Sequence, residues 1–476
     1  MPDPLTTHGE LDEALTLAVD AARAYLAGLD ERPLHDGDPD RAAARLRTPL
    51  PEDGDGAPAA LRALVEDGLD GSVASAGPRC FHFVTGGVTP AALAADWLAS
   101  TLDQNTAAWV ESPLGAELER LALDWLTDLF RLPGDWGGVL TTGATMANFV
   151  GLAAARTWWG DRHGVDVAEQ GLAGLPPVPV LTSGHLHSSA AKALGMLGIG
   201  RANVHRLACD AVGTLDSDAL VRALAALDGA PAILVANAGE VNAGHFDPIA
   251  EMADLAERHG SWLHVDGAFG LFARTAPAAA AHAEGIERAQ SVISDGHKWL
   301  NVPYDCGFAF VRDRSLLPRV FGATAAYLPP VDFERPNFAY LGPEGSRRAR
   351  SLAVWATLRA YGRNGVRAMV ERHLALAQRI ADRVDQAPDL ERLADVPLNI
   401  VCFRYRPPNI GEDALDDLNA SLGEAVLADG RVFVGTTLYG GRVAFRPAIV
   451  NWRTREQDVD LLVDVIRELG ARLNPA

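Results

Sequence analysis

Between Phe81 and about Arg312 the chain alternates short apolar runs with helical stretches. The runs are Gly138–Thr142, Val178–Thr182, Ala232–Ala236, Trp262–Val265, Ser291–Ser294 and Phe308–Val311, and helical patterns such as Ala147–Arg156 and Ile249–His259 stand between them. Short, nearly continuous apolar strands joined through helices imply a largely parallel sheet buried on both faces. Ligands of such sheets sit beyond the carboxyl ends of the strands, so the residues just after each run are where chemistry is expected. At 476 residues the chain is too long for one small domain. The expected division is an arm over residues 1–75, a large α/β domain over 76–345 and a smaller α+β domain over 346–476. In the arm, Glu10–Leu29 reads as an amphipathic helix and Ala59–Leu69 as a second. An arm this thin buries no core of its own and is expected to pack on another domain or a partner subunit. Phe321–Ser346 is a long, Pro-rich connection. After it come expected helices at Arg347–Tyr361, Val366–Asp385 and Asp458–Leu473, and strands at Leu398–Arg404 and Gly441–Arg446.

Composition removes several function classes. The chain carries 42 basic and 62 acidic residues, a net charge of −20, which disfavours nucleic acid and anionic membranes as partners. The four cysteines have no C-x-x-C spacing, so neither a disulfide framework nor a metal site is expected. The first residues lack a basic and apolar leader, and no apolar run is long enough to span a bilayer. A cytoplasmic protein is the expectation.

The richest tract is Ser291–Cys306, which sets Lys298 beside His297 between an apolar run and a Pro-Tyr turn. A lysine so placed can lose its proton and attack an aldehyde. Upstream, the apolar strand Trp262-Leu-His-Val-Asp266 ends in a carboxylate. A Schiff-base lysine with an aspartate for a pyridinium nitrogen is what pyridoxal phosphate requires. Thr141–Asn148 follows a strand and opens a helix, and such a start offers free N–H groups to an anion, with Gly143 and Ala144 small enough for close approach and Thr145 able to donate its hydroxyl. His185 and His187 follow the next strand, where an imidazole can stack on a flat cofactor. Each feature also fits a plainer role: an ordinary strand-to-helix turn, two satisfied loop histidines, a capping aspartate, or a lysine whose head reaches water.

Taken in order, these tracts resemble the group II pyridoxal-phosphate-dependent amino-acid decarboxylases. Trp109-Val-Glu-Ser-Pro-Leu-Gly-Ala-Glu-Leu-Glu119, His264-Val-Asp-Gly-Ala-Phe-Gly270 and Asp295-Gly-His-Lys-Trp-Leu-Asn-Val-Pro-Tyr-Asp-Cys306 are similar to that family's motifs, as are Ser346–Arg350 and Arg446–Arg453. The resemblance covers roughly residues 75–455. It implies the fold-type I architecture with a mainly parallel seven-stranded sheet, and a homodimer with its sites at the subunit interface. It further implies that Lys298 holds the cofactor, Asp266 pairs with the pyridine nitrogen, His187 stacks on the ring and Ala268 packs on the other face. Gly143, Ala144, Thr145, Asp295 and His297 would surround the phosphate.

The chain departs from the family pattern at three places, one of them Gly267, which replaces the usual alanine after Asp266. Gly239-Glu-Val-Asn242 stands where a Thr-Thr pair is usual, and Glu240 is expected on a surface loop. The tract Asp332–Leu341 is short, and Phe338 lies nearest the place of a mobile catalytic tyrosine, with Tyr340 or Tyr327 as substitutes. Phe81, Phe83 and Trp109 supply aromatic surface, and His82 and Thr85 polar groups, so the expected substrate is an aromatic L-amino acid, with Phe83, Thr85, Trp109 and Tyr340 touching it. Decarboxylation of an acidic amino acid, or oxidative conversion to an aldehyde, is the alternative.

Overall fold

The computed structural model describes residues 8–35, 38–210, 213–322 and 332–474. Its main sheet has seven strands: β1 (Gly137–Thr141), β2 (Val180–Thr182), β3 (Val204–Arg206), β4 (Ile233–Asn237), β5 (Trp262–Asp266), β6 (Ser291–Asp295) and β7 (Gly307–Val311). Their order is β1-β7-β6-β5-β4-β2-β3. Strands β3, β2, β4, β5 and β6 run parallel, and β7 lies antiparallel to both β6 and β1. Every residue of β4 to β7 is buried, which explains why these strands read as unbroken apolar runs. The reversed strand β7 brings its first residue, Gly307, level with Asp295 of β6 and Thr141 of β1. The carboxyl ends of β1, β5 and β6 therefore face one rim.

The helix Ala144–Arg162 crosses the sheet beneath that rim. Its alanine-rich inner face lets it approach closely, and Gly151 is the tightest point: a Cβ there would stand 2.8 Å from His264 Cε1 on β5. Helix Pro113–Leu129 is tied to β1 and to the chain after the long connection by one buried ion pair. Arg347 donates to both Glu119 oxygens, at 3.0 and 2.7 Å, and to Leu140 O at 2.7 Å. Glu119 also accepts the Leu140 N–H. Both side chains are only 1% exposed.

A second sheet, β8 (Leu390–Arg392), β9 (Phe403–Tyr405), β10 (Thr436–Tyr439) and β11 (Arg442–Phe445), is wholly antiparallel in the order β10-β11-β9-β8. Helices Glu412–Asp429 and Glu456–Leu473 cover it. The strand expected over Leu398–Arg404 forms only at Phe403–Tyr405, because the preceding residues pass between two cores: Leu398 and Ile400 join the main core, Val401 and Phe403 the second. The two helices expected over 347–385 are both present within the span Ser351–Gln386, separated at Gly362, whose backbone (φ 59°, ψ −176°) is not helical. Val366 and Val370 pack into the main core, and Leu376 to Val384 into the second. The arm helix Leu11–Ala27 buries no residue, with Leu11 and Leu15 more than half exposed. The helix expected at Ala59–Leu69 is α-helical only over Ala57–Ala63 before its winding changes. Among the described residues no helix is long and apolar enough to cross a membrane.

Removing one partner of a buried pair strands the other charge. Arg347→Ala is expected to cost about 3–5 kcal/mol, read as a lower urea midpoint at unchanged slope. A midpoint equal to wild type would show that Glu119 finds another partner.

Candidate active site

Strand β6 ends in Asp295, and the turn that follows presents His297 and Lys298. Lys298 Nζ lies 3.0 Å from Asp295 Oδ2, and His297 Nε2 lies 3.5 Å from Asp295 Oδ1. His297 Nδ1 accepts the Cys306 N–H at 3.1 Å, so its ring proton sits on Nε2, facing Asp295. Burial holds the His297 pKa below its ordinary value, against the opposing charge of Asp295. Ala144, at the opening of the helix after β1, donates its N–H to Asp295 Oδ1 at 2.5 Å. Gly143 is at φ 143°, and a Cβ there would stand 2.9 Å from His297 Cε1. Gly143, Ala144, Asp295, His297 and Lys298 thus converge, and Thr145 follows in the first helical turn.

The lysine turn is held from beneath. Trp299, fully buried, donates its indole N–H to His373 Nδ1 at 2.8 Å, and His373 Nε2–H donates to Asn451 O at 2.9 Å. Asn301 ends the turn at φ 55°. Its side-chain oxygen accepts from Gly87 N and Trp452 N, and its amide nitrogen donates to Trp299 O and Val450 O. The chain contains two lysines, Lys192 and Lys298. Lys192 lies exposed on a helix, whereas the Lys298 side chain is 17% exposed.

On β5, Asp266 is 6% exposed and accepts from Asn148 Nδ2 (2.9 Å) and the Ala268 N–H (3.2 Å). His187 caps the helix Ser188–Met196, its Nδ1 accepting the Ser189 N–H. Burial lowers its pKa; Asp266 and Asp295 oppose that shift, and the charges of Lys298 and Arg446 add to it. These four side chains therefore share its electrostatic surroundings. His185, by contrast, turns to Glu240, with Nδ1 4.0 Å from Oε2.

Two expectations change. Glu240 is not on a surface loop: it is 5% exposed, and its carboxylate accepts the N–H groups of Asn242 (2.7 Å) and Ala243, closing the turn after β4. Phe81 does not line the site; it is 1% exposed in the second core. Around Trp109 and Tyr340, Trp109 N–H donates to Asn337 Oδ1 and Ala339 N–H to Ala107 O, and Tyr340 is 8% exposed. Tyr327 lies outside the described residues. Phe83 does face outward, 64% exposed, on a strained step in which Phe83 and Val84 both have positive φ. Thr85 donates its hydroxyl to His82 O. Arg446, which opens the tract Arg446–Arg453, is a further buried cation whose place the sequence does not reveal. It is 8% exposed, donates to Val241 O at 3.1 Å, and carries a pKa lowered by burial.

A half-buried lysine, a strand-end aspartate and a glycine-floored helix start on one rim define a cofactor-dependent enzyme of amino-acid chemistry. The conserved domain of pyridoxal-dependent decarboxylases matches residues 50–406, and the chain belongs to that family. It is 32% identical to an L-2,4-diaminobutyrate decarboxylase of Rhizobium meliloti (strain 1021), over 89% of this chain and 84% of that protein. It is 27% identical to an aromatic-L-amino-acid decarboxylase of Bacillus atrophaeus, over 96% and 95%. The crystal structure of Oryza sativa TDC with PLP and tryptamine superposes with a TM-score of 0.90 at 27% identity, covering 99% of each chain. The protein is a carboxy-lyase that uses pyridoxal phosphate. Its residues fit that group: the cradle at Gly143 is one that a Cβ would fill, and the helix start, the lysine and the strand-end carboxylate suit phosphate, aldehyde and ring nitrogen in turn.

Burial holds His264 to a pKa of about 4 and His373 to about 3, both below the ordinary value near 6.5. On acidification the unfolded chain binds these protons first. The stability from the neutral rings is complete above pH ~6.5 and is lost as pH falls toward 4, by up to about 1.4 kcal/mol per unit for each. Urea unfolding between pH 7 and 4 should show this loss, and His373→Gln should lessen it; equal slopes would count against a neutral, doubly bonded His373.

Proposed function

We propose that this enzyme decarboxylates an aromatic L-amino acid to its amine, with Lys298 Nζ as the amine that holds the cofactor aldehyde. Asp266 faces the ring nitrogen and keeps its proton. His187 covers one ring face and Ala268 the other. Gly143, Ala144 and Thr145 turn the helix start toward the phosphate, and Asp295 and His297 border it. When bound, the cofactor supplies a protonated ring that accepts the electron pair left as carbon dioxide departs. Arg446 receives the substrate α-carboxylate, since its charge reaches His187 and it is held by a backbone carbonyl. Orientation by these groups sets the breaking bond across the ring plane. The observation that carries the reading is the convergence of the half-buried Lys298 with Asp295, His297 and the Gly143 cradle.

Two cations, Lys298 and Arg446, act on His187. The first is taken by the cofactor and the second suits one carboxylate, so the substrate side chain meets Phe83 and Thr85 rather than another cation. The enzyme is further proposed to be a cytoplasmic homodimer, divided into the arm 1–75, the cofactor domain 76–345 and the small domain 346–476. The segment 97–114 exposes Trp97, Leu98, Leu102, Val110 and Leu114, an apolar surface suited to a second copy. Trp109 lies within that segment and Tyr340 in the tract bonded to it, and both would serve the partner's site.

A second reading is oxidative. Phe338, 2% exposed, occupies the tract where a mobile tyrosine is expected, and Tyr340 is buried beside it. If Cα waits for its proton, dioxygen can intervene. Amino acid, dioxygen and water then give aldehyde, carbon dioxide, ammonia and hydrogen peroxide.

Amino acids supplied singly to the purified holoenzyme, with carbon dioxide, amine, aldehyde and peroxide followed together, decide between the readings. Carbon dioxide with amine from one aromatic substrate is the expected result; aldehyde with peroxide selects the second, and turnover of acidic substrates alone overturns the aromatic assignment. Lys298→Ala should abolish turnover and covalent cofactor attachment, and retention of either removes the lysine from its role. Arg446→Ala should raise KM roughly ten- to a hundredfold, the worth of a charged hydrogen bond. An unchanged KM would place the carboxylate elsewhere. Gel filtration should show twice the chain mass, and a monomer would refute the shared surface.

A further inference from the structure

Beneath the rim runs a chain of buried hydrogen bonds that the proposed mechanism leaves unused. Trp262 Nε1–H donates to Ser291 Oγ at 2.9 Å, Ser291 Oγ lies 2.8 Å from His264 Nδ1, and His264 Nε2 lies 2.8 Å from Asn148 Oδ1. Asn148 Nδ2 then donates twice, to Asp266 Oδ2 at 2.9 Å and to Ser189 Oγ at 3.1 Å. Ser189 Oγ lies 2.6 Å from His187 Nδ1. Asn148, His264 and Ser291 are fully buried, and Ser189 is 6% exposed.

The direction of every bond follows from the two ends. A carboxylate accepts, so Asn148 presents its NH₂ to Asp266 and its oxygen to His264. That oxygen takes the His264 Nε2–H. His264 is neutral, because burial holds its pKa to about 4, so its Nδ1 is an acceptor and Ser291 donates to it. Ser291 in turn has a lone pair for Trp262, whose indole can only donate. On the other branch, Ser189 Oγ accepts from Asn148 and donates to His187 Nδ1, which the Ser189 N–H also engages. The proton of neutral His187 therefore stands on Nε2.

We propose that Asn148 is the positioning residue that couples the two sides of the cofactor: one amide hydrogen holds Asp266 as an acceptor for the ring nitrogen, and the other, through Ser189, holds His187 with its proton on Nε2. This rests on the roles proposed above for Asp266 and His187. A planar amide is the one short side chain with two donors and an acceptor. A hydroxyl at this position would leave one branch without a donor, and a carboxylate would leave both. His187 so oriented presents Nε2–H as a donor toward the substrate. Its surroundings are Asp266, Lys298, Asp295 and Arg446, and two hydrogen bonds into Nδ1 oppose a second proton there.

The two branches can be cut separately in the holoenzyme. Asn148→Leu, close in shape, removes both; PLP retention, measured as the dissociation constant on reconstitution, should weaken roughly ten- to a hundredfold, the range for a lost hydrogen bond to a charged group. Ser189→Ala cuts only the His187 branch. It should leave PLP affinity within about twofold while lowering kcat and moving the acid limb of its pH profile upward, because His187 then protonates more readily. Wild-type PLP affinity in Asn148→Leu, or an unchanged pH profile in Ser189→Ala, overturns the coupling. Equal loss of PLP from both variants overturns the separation of branches. Should Asn148→Leu fail to fold, the Ser189→Ala pH profile decides alone. Failure of the underlying reading looks different: Lys298→Ala would still turn over, or Asp266→Ala would keep both PLP and rate.

Discussion

The side chain of Asn301 is the constraint on which the site depends. It stands at a backbone angle that few residues other than glycine adopt, one step past the end of the Lys298–Trp299–Leu300 turn. From there its amide joins segments that are remote in sequence: the stretch at Gly87, the lysine turn itself and the Val450–Trp452 crossing. With both hydrogens and the oxygen committed, and no exposure to water, no hydrogen bond is left for solvent to replace. Trp299 and His373 repeat the tie a turn away. The lysine is thus a fixed point between two cores, not a side chain on a mobile loop.

The polar layer under the rim is built from neutral groups. His264 and His373 are held uncharged by burial, and Asn148, Ser189, Ser291 and Trp262 carry no charge to begin with. Buried charges would have to be paired to be tolerated. Neutral donors and acceptors in strict order can instead orient the few charged groups above them without adding to the local field. That separates the task of positioning, which lies below the sheet edge, from the task of charge stabilisation, which falls in the proposed mechanism to Asp266, Lys298 and Arg446.

Much of this was legible in the sequence where neighbours in the chain are also neighbours in space. Strands β4 to β7 are covered on both faces and so read as apolar runs, and Lys298 with His297 and Asp295 lie within one turn. Strand β3, Val-His-Arg at the edge of the sheet, has no such signature, and neither has the three-residue β8. Phe81 and Phe83 look alike on paper, yet one side chain enters the second core and the other faces water, a distinction set by the positive-φ step at Phe83. Glu240 read as surface because a lone carboxylate is costly to bury; its partners are the backbone N–H groups of its own turn. Asn148 and Arg446 stood in recognisable motifs, but their roles are defined by residues more than a hundred positions away.

The scarcity of lysine has a chemical corollary. An aldehyde in solution reacts with whatever amines a protein displays, and most proteins display many. Here the surface cations are arginines, whose guanidinium stays protonated and does not condense in that way, and the only ε-amine besides Lys298 is Lys192 on an outer helix. With the cofactor aldehyde on Lys298, as proposed, borohydride reduction should yield a nearly single-site label, so that the molar ratio of reduced cofactor to polypeptide reads directly as the fraction of sites filled.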